Sequence, residues 1–108
     1  MQSEFLVIVT TFPSREQAQA AARALVDGKL VACAQIGGPI ESVYRWEGRV
    51  ETAAEWTCTL KTRAERYDAV AAALTKLHPY DVPEILATPV VAGSPAYLQW
   101  LDESLGGE

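Results

Sequence analysis

Apolar residues along this chain follow two periods in turn, one suited to strands and one to helices. Phe5-Leu6-Val7-Ile8-Val9-Thr10-Thr11 is an unbroken apolar and β-branched run, which predicts a central strand ended by Pro13. The period then lengthens. Ala18, Ala21, Ala22, Leu25 and Val26 recur at i, i+3, i+4, i+7 and i+8, one apolar face of a helix. Ser14 with Gln17 matches a capping box and Gly28 suits the C-terminal cap, so this helix spans Arg15–Asp27. Leu30–Ile36 reads as a second strand, Gly37-Gly38-Pro39 as a bulge or kink in it, and Glu41–Trp46 as its continuation. Glu47-Gly48 is a tight hairpin turn, and Val50–Lys61 is the returning strand. Thr62 with Glu65 matches a second capping box, and Tyr67, Val70, Leu74 and Leu77 share one face of a helix over Arg63–Leu77. Ile85–Val91 is the fourth strand. Ser94-Pro95 opens a short last helix that buries Tyr97, Leu98 and Leu101, and Gly106-Gly107-Glu108 should fray.

The order β-α-β-β-α-β plus a short helix predicts an α+β, ferredoxin-like sandwich, a single domain over residues 1–108 with strand order four-one-three-two. That topology gathers the end of strand one (Thr10, Thr11, Phe12), the hairpin tip and the segment after helix two at one end of the sheet. The hairpin is too long for the rest. Its returning arm has about 12 residues, roughly 40 Å at ~3.3 Å each, against about seven for strands one and four. The excess must project, and a bare two-stranded arm is unstable alone, so a neighbouring copy should cover it. Trp46, beside the turn, fits an aromatic interface; Trp56 and Trp100 are most simply core residues. With paired positions summing to about 95, Cys33 and Cys58 lie about four ladder positions apart, roughly 13 Å. A disulfide needs Cα atoms within ~7 Å, so both should be free thiols.

Composition removes several classes of function. The chain has 108 residues, 49% of them hydrophobic, enough for a real core. A net charge of -5 and the lack of a basic stripe argue against nucleic acid or an anionic membrane as partner. No run of ~18 apolar residues suggests a membrane span, and Met1-Gln2-Ser3-Glu4-Phe5 does not begin like a signal peptide, so a cytoplasmic location is expected.

The chemistry concentrates in Leu77-His78-Pro79-Tyr80-Asp81-Val82-Pro83-Glu84-Ile85, which holds the chain's one histidine. Pro79 stops the helix and Pro83 stiffens the far end, so the polar groups between them sit on a rigid loop. One reading is a cleft of Tyr44, Trp46, Lys61, His78, Tyr80 and Asp81 for a small anionic or aromatic metabolite, with Lys61 supplying charge and the rings supplying area. Plainer readings stay open. Cys33 suits a small buried apolar position, and His78 suits the negative end of helix two. Asp81 and Glu84 could pair with Lys61 or Arg63, and Glu47 and Arg49 are simplest as solvated turn charges. An enzyme is not expected: Thr11-Phe12-Pro13-Ser14-Arg15 has no glycine to cradle a phosphate, and Cys33 and His78 lie too far apart to act as a pair. An RNA-recognition module would need sheet aromatics and basic charge.

Several stretches together resemble the CutA divalent-cation tolerance family: Val9-Thr10-Thr11-Phe12-Pro13, Leu30-Val31-Ala32-Cys33-Ala34, Tyr44-Arg45-Trp46-Glu47-Gly48, Leu60-Lys61-Thr62, His78–Ile85 and Tyr97-Leu98-Gln99-Trp100-Leu101. The resemblance implies a ferredoxin-like fold in a tight homotrimer whose long hairpins join sheets between subunits, much as in PII-type signalling trimers. It implies a link to tolerance of copper and other divalent ions, without an established catalytic activity. The ligands it suggests map to Cys33, His78 and Glu84, whose S, N and O donors suit copper or zinc. Some members carry a cysteine at the end of strand one, where this chain has Thr10 and Thr11. The topology puts Cys33 at the far edge and opposite end of the sheet from His78 and Glu84, so only a neighbouring subunit could bring a thiolate to that loop.

Overall fold

The computed structural model describes residues 4–106. The expected fraying of Gly107 and Glu108 and the reading of Met1–Ser3 lie outside the described residues. The elements run β1 (Phe5–Phe12), α1 (Arg15–Asp27), β2 (Cys33–Trp46), β3 (Arg49–Arg63), a 3-10 turn (Ala64–Arg66), α2 (Tyr67–Leu77), β4 (Leu86–Pro89) and α3 (Pro95–Ser104). The sheet order is β2-β3-β1-β4 with every neighbouring pair antiparallel, the ferredoxin-like arrangement read from the element order.

Alternation along the strands divides the sheet into two faces. Ile8, Phe12, Cys58 and Leu60 point to one side, where they pack with Ala18, Ala21 and Leu25 of α1 and Val70 and Leu74 of α2. Trp56 packs partly buried against that core, whereas Trp100 is exposed. On the other side α3 lies across the lower sheet. Arg63 pairs with Asp102 at 2.5 Å, and the Lys61 ammonium stands 5.6 Å from the Tyr97 ring.

α1 begins where its cap predicts: the Ser14 hydroxyl accepts from the Gln17 amide at 3.2 Å. α2 departs from expectation. Thr62 is fully buried on the core face and its hydroxyl donates to the Leu30 carbonyl at 2.7 Å, so it cannot cap a helix. The chain first makes the 3-10 turn, and the α-helix opens at Tyr67 instead of Arg63, with no side-chain cap. β4 is also shorter than expected, Leu86–Pro89 and not Ile85–Val91, although the Val90 amide just beyond it still donates to the Phe5 carbonyl at 3.0 Å.

The β2–β3 hairpin dominates the outline, which measures 47 × 29 × 22 Å. β1 accompanies β3 only as far as Trp56, so Arg49–Glu55 pair with β2 alone. That leaves a free ribbon of roughly 23 Å at ~3.3 Å per residue. Its tip turns through Glu47 (φ 50) and Gly48 (φ 78), the two left-handed positions of a type I′ turn. At its root the ladder shifts by one residue between Gly37 and Ile40. Gly38 there has φ 137, and a Cβ on it would lie 3.0 Å from the Glu55 carbonyl oxygen, so the bulge needs glycine. The shift moves Cys58 opposite Ile36 and Cys33 opposite Lys61, one position from the expected register. Both cysteines are free.

Candidate functional site

Topology brings three segments together at the upper end of the sheet. The ribbon contributes Tyr44 and Trp46 from β2 and Glu55 from β3, and the loop between α2 and β4 contributes Tyr80, Asp81 and Glu84. With Thr11 at the end of β1, they line a cleft of about 630 Å³. Tyr44 and Trp46 reach the same side because they are two apart on a strand. Glu55 joins them because its ladder partner, Ile40, falls on the same face.

A hydrogen bond of 2.8 Å from the Tyr80 hydroxyl to the Glu55 carboxylate closes the root of the cleft. Burial, and then that carboxylate, push the Tyr80 phenol well above the ordinary tyrosine value, so it remains a donor at any physiological pH.

His78 sits behind the cleft, inside the core face. Its ring stacks on Phe12 with centroids 4.3 Å apart, and Tyr80 leans on its other flank at 5.0 Å. The Tyr80 amide donates to Nδ1 at 3.4 Å, which leaves Nε2 protonated and donating to the Thr10 hydroxyl at 3.1 Å. Burial lowers the histidine pKa, outweighing the opposing effects of the Thr11 backbone and the Glu55 carboxylate. The ring is therefore a neutral anchor for the loop, and the negative end of α2 does not hold it charged.

The residues suggested as metal ligands are dispersed. Cys33 opens β2 opposite Lys61, on the outer edge strand. His78 is enclosed by Thr10, Phe12 and Tyr80, and Glu84 alone of the three lines the cleft. Among the described residues, no group of three or more His, Cys, Asp or Glu side chains is arranged to hold a metal ion. Lys61 does not line the cleft either. It donates to Gln35 at 2.9 Å lower on the sheet, while Arg63 takes Glu65 and Asp102. Asp81 and Glu84 have no ion-pair partner among the described residues.

Glu55 escaped the sequence reading, although its signal was present. Counting back from the Glu47-Gly48 turn places Ser42 opposite Ala53 and Tyr44 opposite Glu51, and Glu55 follows on the same face.

A family model for the CutA1 divalent ion tolerance protein matches residues 6–104. The chain is 40% identical over 99 residues to "Protein CutA, chloroplastic" of Arabidopsis thaliana, covering 92% of this chain and 54% of that protein. It thus spans about half the length of this plant relative. It is 40% identical over 100 residues to "Divalent-cation tolerance protein CutA" of Thermus thermophilus, covering 93% of this chain and 97% of that one. The crystal structure of CutA1 from the psychrotrophic bacterium Shewanella sp. SIB1 superposes with a TM-score of 0.93 at 38% identity, covering 96% and 97% of the two chains.

Proposed function

The chain belongs to the CutA1 divalent ion tolerance family, and from that premise we propose that it is a non-enzymatic homotrimer that takes up a divalent cation, copper foremost, at clefts shared between subunits. One observation carries this reading: the cleft lies at the root of a ribbon whose apolar residues its own chain leaves bare. Val43 and Val50 are each 64% exposed and Trp46 50%. A neighbour that covers the ribbon also walls the cleft. Glu84 supplies an oxygen ligand from within, a thiolate enters only as Cys33 of the partner subunit, and His78 joins only by giving up Thr10. A single domain and a cytoplasmic location complete the proposal. The Arabidopsis relative is named as chloroplastic, so fractionation of the source cells is the check on location. No helix of the described residues is long and apolar enough to cross a membrane.

A second reading, a PII-like small-molecule sensor in which metal is incidental, is favoured by the size of the cleft. A divalent ion with six waters occupies roughly 200 Å³ at ~30 Å³ per water, well under the 630 Å³ available.

Light scattering at micromolar concentration should give the mass of three chains, and a copper titration by calorimetry should lose most of its heat in Glu84→Gln and in Cys33→Ser. A one-chain mass, or isotherms unchanged in both variants, would refute the proposal.

A further inference from the structure

We propose that Arg15 is a positioning residue for assembly: together with Tyr80 it fixes the direction in which the β2–β3 ribbon leaves the body, and so the face that the ribbon presents to a neighbouring copy. The inference rests on the reading that neighbouring copies cover the ribbon, and it names the side chains that make one chain's ribbon fit the next.

The level at which the ribbon takes its direction is narrow. β1 ends opposite Trp56, and at that same level the ladder of β2 breaks between Gly37, opposite Thr57, and Ile40, opposite Glu55. A bulge bends its strand and adds twist, and two-stranded ribbons vary in twist more than wider sheets do. Backbone pairing alone therefore sets the angle of the ribbon only loosely, just where it loses its third strand.

Side chains supply the constraint at that level. Within the hairpin, the Thr57 hydroxyl donates to the Gly37 carbonyl at 3.3 Å. From α1, the Arg15 guanidinium donates to the Gly38 carbonyl at 3.2 Å. From the loop after α2, the Tyr80 hydroxyl donates to the Glu55 carboxylate at 2.8 Å. Trp56 packs on the core with the helices, so by strand alternation Glu55 points to the opposite face of the sheet. Arg15 thus holds the root from the helix side and Tyr80 from the other. Each bond is made inside one chain, and none depends on what covers the ribbon.

The place of Arg15 in its own helix argues independently. It is the first residue of α1, where the helix dipole favours an anion and disfavours a cation. A guanidinium set against the dipole does nothing for the helix, so its use lies in what it reaches, a bulge carbonyl 23 positions away in the chain. A charged donor makes the stronger hydrogen bond, and the long arginine side chain spans the gap from helix to strand.

Sedimentation equilibrium of the full chain tests this with Arg15→Ala, Tyr80→Phe and the two combined. Arg15→Ala should raise the dissociation constant of the assembly about tenfold or more. Arg15→Lys keeps a charged donor and should recover a large part of the loss. Arg23→Ala, two turns further along the same helix and with the same loss of charge, should match the wild type. Arg15 and Tyr80 share no partner, so as separate local contacts their effects would multiply to within about twofold. As two tethers aiming one ribbon they should not: the double variant should dissociate at least ~fivefold more readily than that product, because either tether alone still limits the ribbon. Far-ultraviolet circular dichroism confirms that each variant is folded. Hydrogen exchange reads the ribbon itself, and the amides of Val43–Val50 should exchange faster in Arg15→Ala while those of α2 keep their rate. Unchanged assembly in Arg15→Ala, a double variant that equals the product of the singles, or ribbon exchange at the wild-type rate would each overturn the proposal. A wild-type chain that sediments as one copy removes the trimer reading and the role in assembly with it; faster ribbon exchange in Arg15→Ala would then leave the tether standing, and an unchanged rate would remove that too.

Discussion

Tyr80, Glu55 and His78 form a short chain of contacts in which each side chain fixes the next. Replacing Tyr80 by Phe keeps the ring on His78 and removes only the 2.8 Å bond to Glu55. The expected cost is about 1–2 kcal/mol, measured as a lowered urea midpoint, because a part-buried carboxylate loses its donor. The histidine makes stability depend on pH. Its folded pKa lies below the ordinary value of 6.5, so the unfolded chain binds the proton first. Stability should hold its full value above about 6.5, fall as the pH drops through that value toward the lower folded pKa, and level off beneath it. Urea midpoints measured across this range should show the slope, and His78→Gln should reduce it. Cys58 behaves differently from a reactive thiol. Burial pushes it up to about 11, so it should resist alkylation at pH 8 until the protein unfolds. Mass mapping after iodoacetamide treatment tests this, and prompt native labelling of Cys58 would contradict its place in the core.

At the scale of elements, the bulge at the root of the ribbon carries the register of everything beyond it. Gly38→Ala places a Cβ against the Glu55 carbonyl and Trp56 at a positive φ, and should cost about 1–3 kcal/mol by thermal or urea denaturation. Ser14→Ala removes the cap of α1 and should cost about 1 kcal/mol, whereas Glu65→Ala should do nothing to the start of α2, which has no side-chain cap. These contrasts mark what local pattern can reveal. β1, α1 and the Glu47-Gly48 turn were legible because propensity, capping and packing agree there. The start of α2 was not, because Thr62 has the residue type of a cap but spends its hydroxyl on Leu30, 32 positions away. The one-residue shift at Gly37–Ile40 was foreseen as a kink, but its consequence for ladder partners depends on how the two strands meet. The site was partly legible for the same reason. Tyr44, Trp46, Tyr80 and Asp81 could be gathered from topology, whereas Lys61 could not be excluded without knowing which face α3 covers.

For the whole molecule, the uncovered ribbon decides behaviour. β3 continues past the end of β1 with apolar side chains and a single ladder partner, so the proposed trimer should stand or fall with it. Trp46→Ala should weaken assembly more than Glu51→Ala, its near neighbour on the hairpin; equal sedimentation profiles for the two would count against a role for the ribbon in assembly. The 2.8 Å contact between Glu55 and Tyr80 has a mechanical corollary. It clamps the base of a long rod to the side chain of the third residue beyond the end of α2, with only His78 and Pro79 as the joint. Any swing of the rod is therefore geared into that joint, and whatever steadies the tip also slows amide exchange at Tyr80, roughly 20 Å away along the strand.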